Sequence, residues 1–325
     1  MMRTRALVRA ALVAAIASAA WPVLAQSYPS RPVRIVVPFA AGGSTDAMAR
    51  IVGQKMAEGL GQPVVIENRP GAAGGLGSEQ VARSPADGYT LLMATTSTHA
   101  ILPVANPRLG YDAVRDFAPV GLVARAPNVL VVGPGLGVGS VDELLKLARG
   151  RPAPLTFASS GTGSITHLVG ELFAASAGIK AMHVPYKTGV QALPDVASGQ
   201  VAFQFDSITW TVPQARAGKL RALAVTGPAR SPLAPDLPTV AEAGLPGFEG
   251  ITWFGFVAPA ATPPDALARL GAELTRALAH PEVREKLAAQ GAEAAAGQPQ
   301  ELSRLMREDG AKWAKVIRDA GVKFE

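Results

Sequence analysis

Residues 36–50 read VVPFAAGGSTDAMAR. The apolar run RIVVPF (34–39) suits a strand buried on both faces. A small-residue loop with paired Gly42 and Gly43 follows. From Ser44 to Leu60, Met48, Ile51, Val52, Met56 and Leu60 recur at helical spacing, a face that can lie on a sheet. Strand, glycine loop and helix start together make an anion cradle. The helix start offers unpaired N–H groups and about half a positive charge, and glycines let the backbone approach a ligand. The loop has no lysine. GxxxxGK[ST] does not occur, nor does GxGxxG with a downstream acid, so nucleotide binding is unsupported. A cradle of backbone and hydroxyls fits a carboxylate. Ser44, Asp46 and Ser164 are also expected to cap helices.

Outward from this stretch the same grammar repeats. Gly61-Gln62-Pro63 stops the helix, PVVIEN (63–68) reads as a strand, and the glycine-rich GAAGGLG (71–77) precedes a short helix around 78–83. Asp87-Gly88 turns the chain into the strand YTLLMAT (89–95). This βαβαβ order predicts a parallel sheet with right-handed crossovers. A second unit starts after NVLVVGP (128–134). In SVDELLKLAR (140–149), Ser140 and Glu143 form a capping-box pattern. PLTFASSGTGSITHLVGELFAASAG (154–178) is again strand, small polar loop, helix. Strands at 181–186, 200–205 and 219–226 and a helix at 189–198 complete a second sheet of the same type. In the tail, WFGFVAPA (253–260) reads as a strand. Helices follow from Pro263-Pro264 to about Ala279, from Pro281, and over 298–319, and a helical end of this kind packs back on the first domain. GAEAAAG (291–297) reads as a surface turn. The expected fold class is α/β, with two domains.

The first 25 residues lie outside that fold. Arg3, Arg5 and Arg9 precede a short apolar core (10–20), and Val23-Leu24-Ala25 presents a cleavage site. This predicts a secretory signal peptide over 1–25, cut near Ala25, and a periplasmic protein. The run is too short for a membrane span, and no later run reaches about 18 apolar residues. There is no cysteine, so neither a disulfide nor a lipidated cysteine is available. A chain of 325 residues buries enough core to fold without them. The net charge of +6 falls to +3 without the three leading arginines, and the charges are scattered, which excludes a nucleic-acid footprint.

Three loops leave strand carboxyl ends, where open α/β sheets bind ligands: 40–46, 95–99 and 159–164. No catalytic set accompanies them. GxSxG and HExxH are missing. His167 and Glu171, at i,i+4, could share a metal but lack a third ligand, and a surface or interdomain contact is the plainer reading. His99 could donate to an anion or line its loop, His183 in an apolar strand reads as structural, and His280 as a helix-end residue. Asp206 ends an apolar strand, where an acid could bind a ligand amine, orient loop amides, hold the domains closed, or sit on a solvent-exposed turn. Trp210 reads as a cleft wall or as core, core being the plainer reading.

Several stretches together resemble the extracytoplasmic solute-binding receptors of tripartite tricarboxylate transporters, the Bug or TctC family. They include YPSRPVRIVVPFAAGGSTD (28–46), GQPVVIENRPGAAGG (61–75), PADGYTLLMATTSTH (85–99), FASSGTGSITHLVGELF (157–173), HVPYKTGVQALPDVASGQVAFQFD (183–206), LRALAVTGPARSPLAPDLPTVAEAGLPGFEGITWFGFVAPAATPPD (220–265) and WAKVIRDAGVK (313–323). The resemblance implies a type II periplasmic binding protein, a Venus flytrap with a ligand cleft between two domains. Domain 1 would comprise 26–125 and 251–325, and domain 2 would comprise 126–250. It implies that Phe39, Ala40, Gly42, Gly43, Ser44 and Asp46 line one jaw, with Asp46 acting by orienting the loop. Thr95, Ser97 and His99 would form a neighbouring wall, and Ser160, Gly161, Thr162 and Gly163 the opposing jaw. Asp206 would lie near the far end of the ligand. Thr188 and Pro194 depart from the family pattern, which commonly has a glycine and a small polar residue there. The few charges in these loops favour a mono- or dicarboxylate, aromatic ones included, over a tricarboxylate. The resemblance implies a binding protein rather than an enzyme, with no metal or cofactor, expected as a monomer that delivers its ligand to permease subunits on separate chains. A sensor presenting the ligand to a signalling receptor is the alternative, and a hydrolase the alternative of another class.

Overall fold

A computed structural model describes residues 28–322, so the signal peptide expected over 1–25 lies outside the described residues. The first unit comprises β1 (Val33–Val37), α1 (Ser44–Leu60), β2 (Val64–Asn68), α2 (Gly75–Ala82), β3 (Thr90–Thr95) and the short α3 (Leu102–Ala105). The second runs from β4 (Phe117–Val132) through α4 (Val141–Arg149), β5 (Leu155–Ser159), α5 (Ile165–Ala177), β6 (Ala181–Pro185), α6 (Gly189–Ser198), β7 (Phe203–Ser207) and α7 (Ile208–Arg216) to β8 (Arg221–Val225). The chain then returns as β9 (Ile251–Pro259), α8 (Pro264–Ala279), α9 (Pro281–Ala289), β10 (Glu293–Ala294) and α10 (Pro299–Ala320). No described helix is long and apolar enough to cross a membrane.

Each half uses the same ladder. In the first, β2, β1 and β3 are parallel neighbours, β9 lies antiparallel to β3, and β4 lies antiparallel to β9. In the second, β6, β5 and β7 are parallel, β4 lies antiparallel to β7, and β8 antiparallel to β4. The two expected sheets therefore share a strand. Up to Pro127, β4 pairs with β9, and from Asn128 it pairs with β7 and β8. The sequence shows only the second half of β4, because Pro119, Gly121 and Pro127 break the strand pattern of the first. Register shifts between Pro119 and Gly121 and between Leu122 and Ala124 accommodate the interruptions.

Gly121 also explains the one turn that sequence misplaces. A Cβ there would lie 2.1 Å from the Gly297 carbonyl oxygen. The segment 291–297 packs that closely on β4, with Ala292 buried and β10 paired at Ala124 and Arg125. It is not a surface turn.

Helical faces supply the core. Met48, Val52, Met56 and Leu60 of α1 are buried as their spacing predicts, while Ile51 is half-buried. Burying each such side chain stabilises by about 1.5–3 kcal/mol. The tail packs back as expected, but not on the first unit alone. The Arg269 guanidinium of α8 donates to the Gly59 carbonyl of α1. The long α10 spans the junction: it packs on α5 of the second unit, while on the first its Asp309 accepts from the buried Trp253 indole at 2.7 Å and its Glu301 pairs with Arg125 of β4 at 2.8 Å.

Candidate binding site at the domain junction

The first loop leaves β1 at Pro38 and enters α1 at Ser44. Gly42 takes φ +82°, a left-handed turn that favours glycine. Gly43 is the N-cap, in extended conformation, with no side chain bonded to the helix start. Ser44 therefore does not cap, against expectation. Ala47 N–H is the first in α1 to find an acceptor, at the Gly43 carbonyl, 3.0 Å away. The N–H groups of Ser44, Thr45 and Asp46 have no acceptor among the described residues. Ala40 to Gly43 are exposed and Phe39 and Ser44 half-buried, so solvent or a ligand can reach this helix end.

Asp46 works from behind. Its Oδ2 accepts from Gly42 N (2.9 Å) and Arg50 Nε (3.0 Å), and its Oδ1 accepts from Asn68 Nδ2 (2.9 Å). Asn68 also donates to the Phe39 carbonyl at 3.1 Å. Burial pushes the carboxyl up, but the bonds from Arg50, Gly42 and Asn68 outweigh it and hold the carboxyl below its ordinary range. Sequence reasoning missed Asn68. Its signal was its place at the carboxyl end of β2, beside β1.

The segment after β3 is not a loop. Ser97–Ile101 forms one wide helical turn continuing into α3. Thr95 bonds within this turn, its N–H to Thr98 Oγ1 at 3.0 Å. Ser97 Oγ accepts from the Ile165 N–H, the first of α5, at 3.1 Å, and so links this turn to the helix that follows the second loop. The His99 ring is buried against Tyr111 and Phe117, with centroids 5.9 and 4.7 Å away. It borders a cavity of about 670 Å³ also lined by Pro103, Leu109 and Arg307. Burial holds its pKa down to about 3, so the cationic form an anion would prefer is disfavoured.

In the second loop most donors are already used. Ser164 caps α5: its Oγ accepts from His167 N (3.3 Å) and donates to the Gly161 carbonyl (2.7 Å). Ser160 N donates to Thr166 Oγ1 at 3.0 Å, and the two hydroxyls lie 2.9 Å apart. Gly161 N donates to Ser159 Oγ (3.1 Å) and Gly163 N to His167 Nδ1 (3.2 Å). Thr162 is exposed and Ser160 and Gly161 half-buried, so the loop tip remains accessible.

His167 is buried rather than a surface residue. It stacks on His183, lies 3.5 Å from Glu171, and no group of three or more metal-ligating side chains occurs among the described residues. His183 Nε2 lies 2.6 Å from Ser159 Oγ.

Asp206, at the end of β7, is buried, which removes the exposed-turn reading. Its Oδ1 accepts from Ser207 N (2.6 Å) and Trp210 Nε1 (3.2 Å), its Oδ2 from Gln204 Nε2 (2.9 Å). Burial pushes its pKa up to about 6 against these bonds. A Cβ on Gly189, the first residue of α6, would sit 1.4 Å from Oδ2, so only glycine admits the carboxylate there. Trp210 is half-buried and packs against the core of the second unit.

The family model described as tripartite tricarboxylate transporter family receptor matches residues 48–322. Protein BugT of Bordetella pertussis is 37% identical over 326 residues, covering all of both chains. A solved R. palustris protein with adipate is 40% identical, covers 91% of this chain and 99% of its own, and superposes with a TM-score of 0.85. MatC from Rhodopseudomonas palustris, solved with malate, is 35% identical, covers 89% of this chain and all of its own, and has a TM-score of 0.82.

Proposed function

This chain belongs to the tripartite tricarboxylate transporter receptor family, and from that premise we propose that it captures a small carboxylate between the loops 39–46 and 159–164 and delivers it to a membrane permease of separate chains. The observation that carries this reading is the uncapped start of α1, with three N–H groups lacking acceptors at an exposed helix end. A carboxylate there gains charge-assisted hydrogen bonds of about 1.5–3 kcal/mol each, and the helix dipole adds about 0.3–1 kcal/mol. No lysine or arginine is needed, because the bonds come from backbone.

The second jaw adds the Ser160 and Thr162 hydroxyls and a rigid backbone. A ligand bonded to both jaws favours the closed population over the open one. Closure would bend the two connections between the halves, β4 at Pro127–Asn128 and the entry to β9 at Ile251. We place the protein in the periplasm, exported by its leading arginine-and-alanine segment. The adipate and malate of the two solved relatives, both dicarboxylates, favour the dicarboxylate part of the expected range.

Refolded protein, stripped of carried-over ligand, should melt at a higher temperature with adipate or malate and not with the corresponding amides. A shift with the amides as large as with the acids would show that the pocket does not read the carboxylate. Delivery is tested separately, by uptake of the labelled ligand in cells lacking the gene.

A further inference from the structure

Two imidazoles lie behind the second jaw, and carboxylate capture does not use them directly. His167, on α5, and His183, on β6, stack with centroids 3.7 Å apart and planes 18° apart. Both glycine N–H groups of the loop end on this pair. Gly163 N donates straight to His167 Nδ1 at 3.2 Å. Gly161 N donates to Ser159 Oγ at 3.1 Å, which lies 2.6 Å from His183 Nε2. Both glycines hold left-handed conformations, with φ +114° at Gly161 and +82° at Gly163.

The Gly163 bond decides the protonation state. A backbone N–H can only donate, so His167 Nδ1 must carry a lone pair. The ring proton then sits on Nε2, the nitrogen facing Glu171 Oε1 at 3.5 Å. A second proton on the ring would put two donors face to face across the Gly163 contact and break it.

We propose that His167 is a positioning residue for the ligand loop: its unprotonated Nδ1 pins the Gly163 N–H and holds 159–164 in the shape that meets the ligand, with His183 stacked behind it as a brace. Glu171 on its own helix and His183 on β6 are among the titratable groups that face His167, and Phe157 of β5 packs on its ring. Burial and the neighbouring His167 ring hold the His183 pKa down to about 3, so the bracing ring is neutral. This assignment rests on the reading of 159–164 as a binding jaw.

A bond of the N–H···N type carries a scalar coupling between its nitrogens, so nitrogen-labelled protein reports on the pin without any ligand. The coupling between Gly163 N and His167 Nδ1 should be present at about pH 7.5. Its absence overturns the proposal, whatever the protein binds. With adipate or malate as probe, His167→Phe should weaken binding at least about tenfold, the worth of one lost hydrogen bond. His167→Asn, whose Oδ1 can stand in for Nδ1, should stay within about threefold of wild type. Equal weakening by both variants would mean that the ring merely fills space. If neither probe binds, the carboxylate reading fails while the coupling still decides the pin, and the same holds if His167→Phe does not fold.

Discussion

The two jaws stand at equivalent places in two copies of one ladder, yet they spend their hydrogen bonds differently. The first keeps its helix start open: Gly43 has no side chain to cap α1, and Asp46 ties the loop from behind through Gly42, Asn68 and Arg50. The second closes its helix start: Ser164 caps α5, and Ser160, Thr166, Gly161 and Gly163 are bonded into the loop or to the histidine pair. Duplicating a fold duplicates where a loop falls, not whether its donors are free. Under the proposed function the open jaw takes the anion and the closed jaw presents a rigid wall.

Replacing the brace of the open jaw should do the most damage. Asp46→Ala leaves the Gly42 N–H, the Asn68 amide and the Arg50 guanidinium without their acceptor. It should cost about 3 kcal/mol of stability in urea titration and about a hundredfold in adipate affinity by calorimetry. In the closed jaw, Ser164→Ala removes a helix cap and a bond to Gly161. It should cost about 1–2 kcal/mol, with a smaller loss of affinity than Asp46→Ala. A larger loss of affinity from Ser164→Ala would reverse the roles given to the two jaws.

The sharpest test adds a cap where there is none. Gly43 has ordinary extended φ and ψ, and its Cβ would meet nothing nearer than the Ala40 carbonyl at 3.6 Å, so Gly43→Ser should fold. The new hydroxyl should stabilise the ligand-free protein by about 0.3 kcal/mol, read as a slightly higher melting temperature, and weaken carboxylate binding about tenfold by competing for the same N–H. Unchanged affinity would mean that the α1 start is not the anion site.

The smallest expected effect concerns Asp206. Its folded pKa, about 6, is raised above the ordinary value of 3.8 by burial. Its stabilising contribution is therefore full at low pH and lost as pH rises through about 6. Asp206→Asn should stabilise the ligand-free protein by about 1 kcal/mol near pH 7.5 and leave it unchanged near pH 4. The gain is limited because an Asn amide would face the Gln204 amide that now donates to Oδ2. Thermal melts at the two pH values read it directly.

Much of this was legible in the residues. The Met48–Leu60 face, the Ser140 and Ser164 caps and the two strand–loop–helix units follow from local periodicity and cap chemistry, which depend on neighbours a few positions away. The full length of β4 was hidden by Pro119, Gly121 and Pro127; a bulge accommodates Pro119, Gly121 admits the Gly297 carbonyl far along the chain, and Pro127 stands where β4 passes from one sheet to the other. The helix Ile208–Arg216 was hidden by its internal Pro213 and its Thr and Val content.

By itself the sequence determined the fold family, the loops at the strand ends and the absence of a lysine from the anion cradle. Only the tertiary structure decided which donors remain free. It buried Asp206 beneath Gly189, turned the His99 ring onto Tyr111 and Phe117, and stacked His167 on His183. Local pattern sets where a side chain enters the fold. What that side chain bonds to is set by groups that folding brings together from distant parts of the chain, so the chemistry of the site is a property of packing.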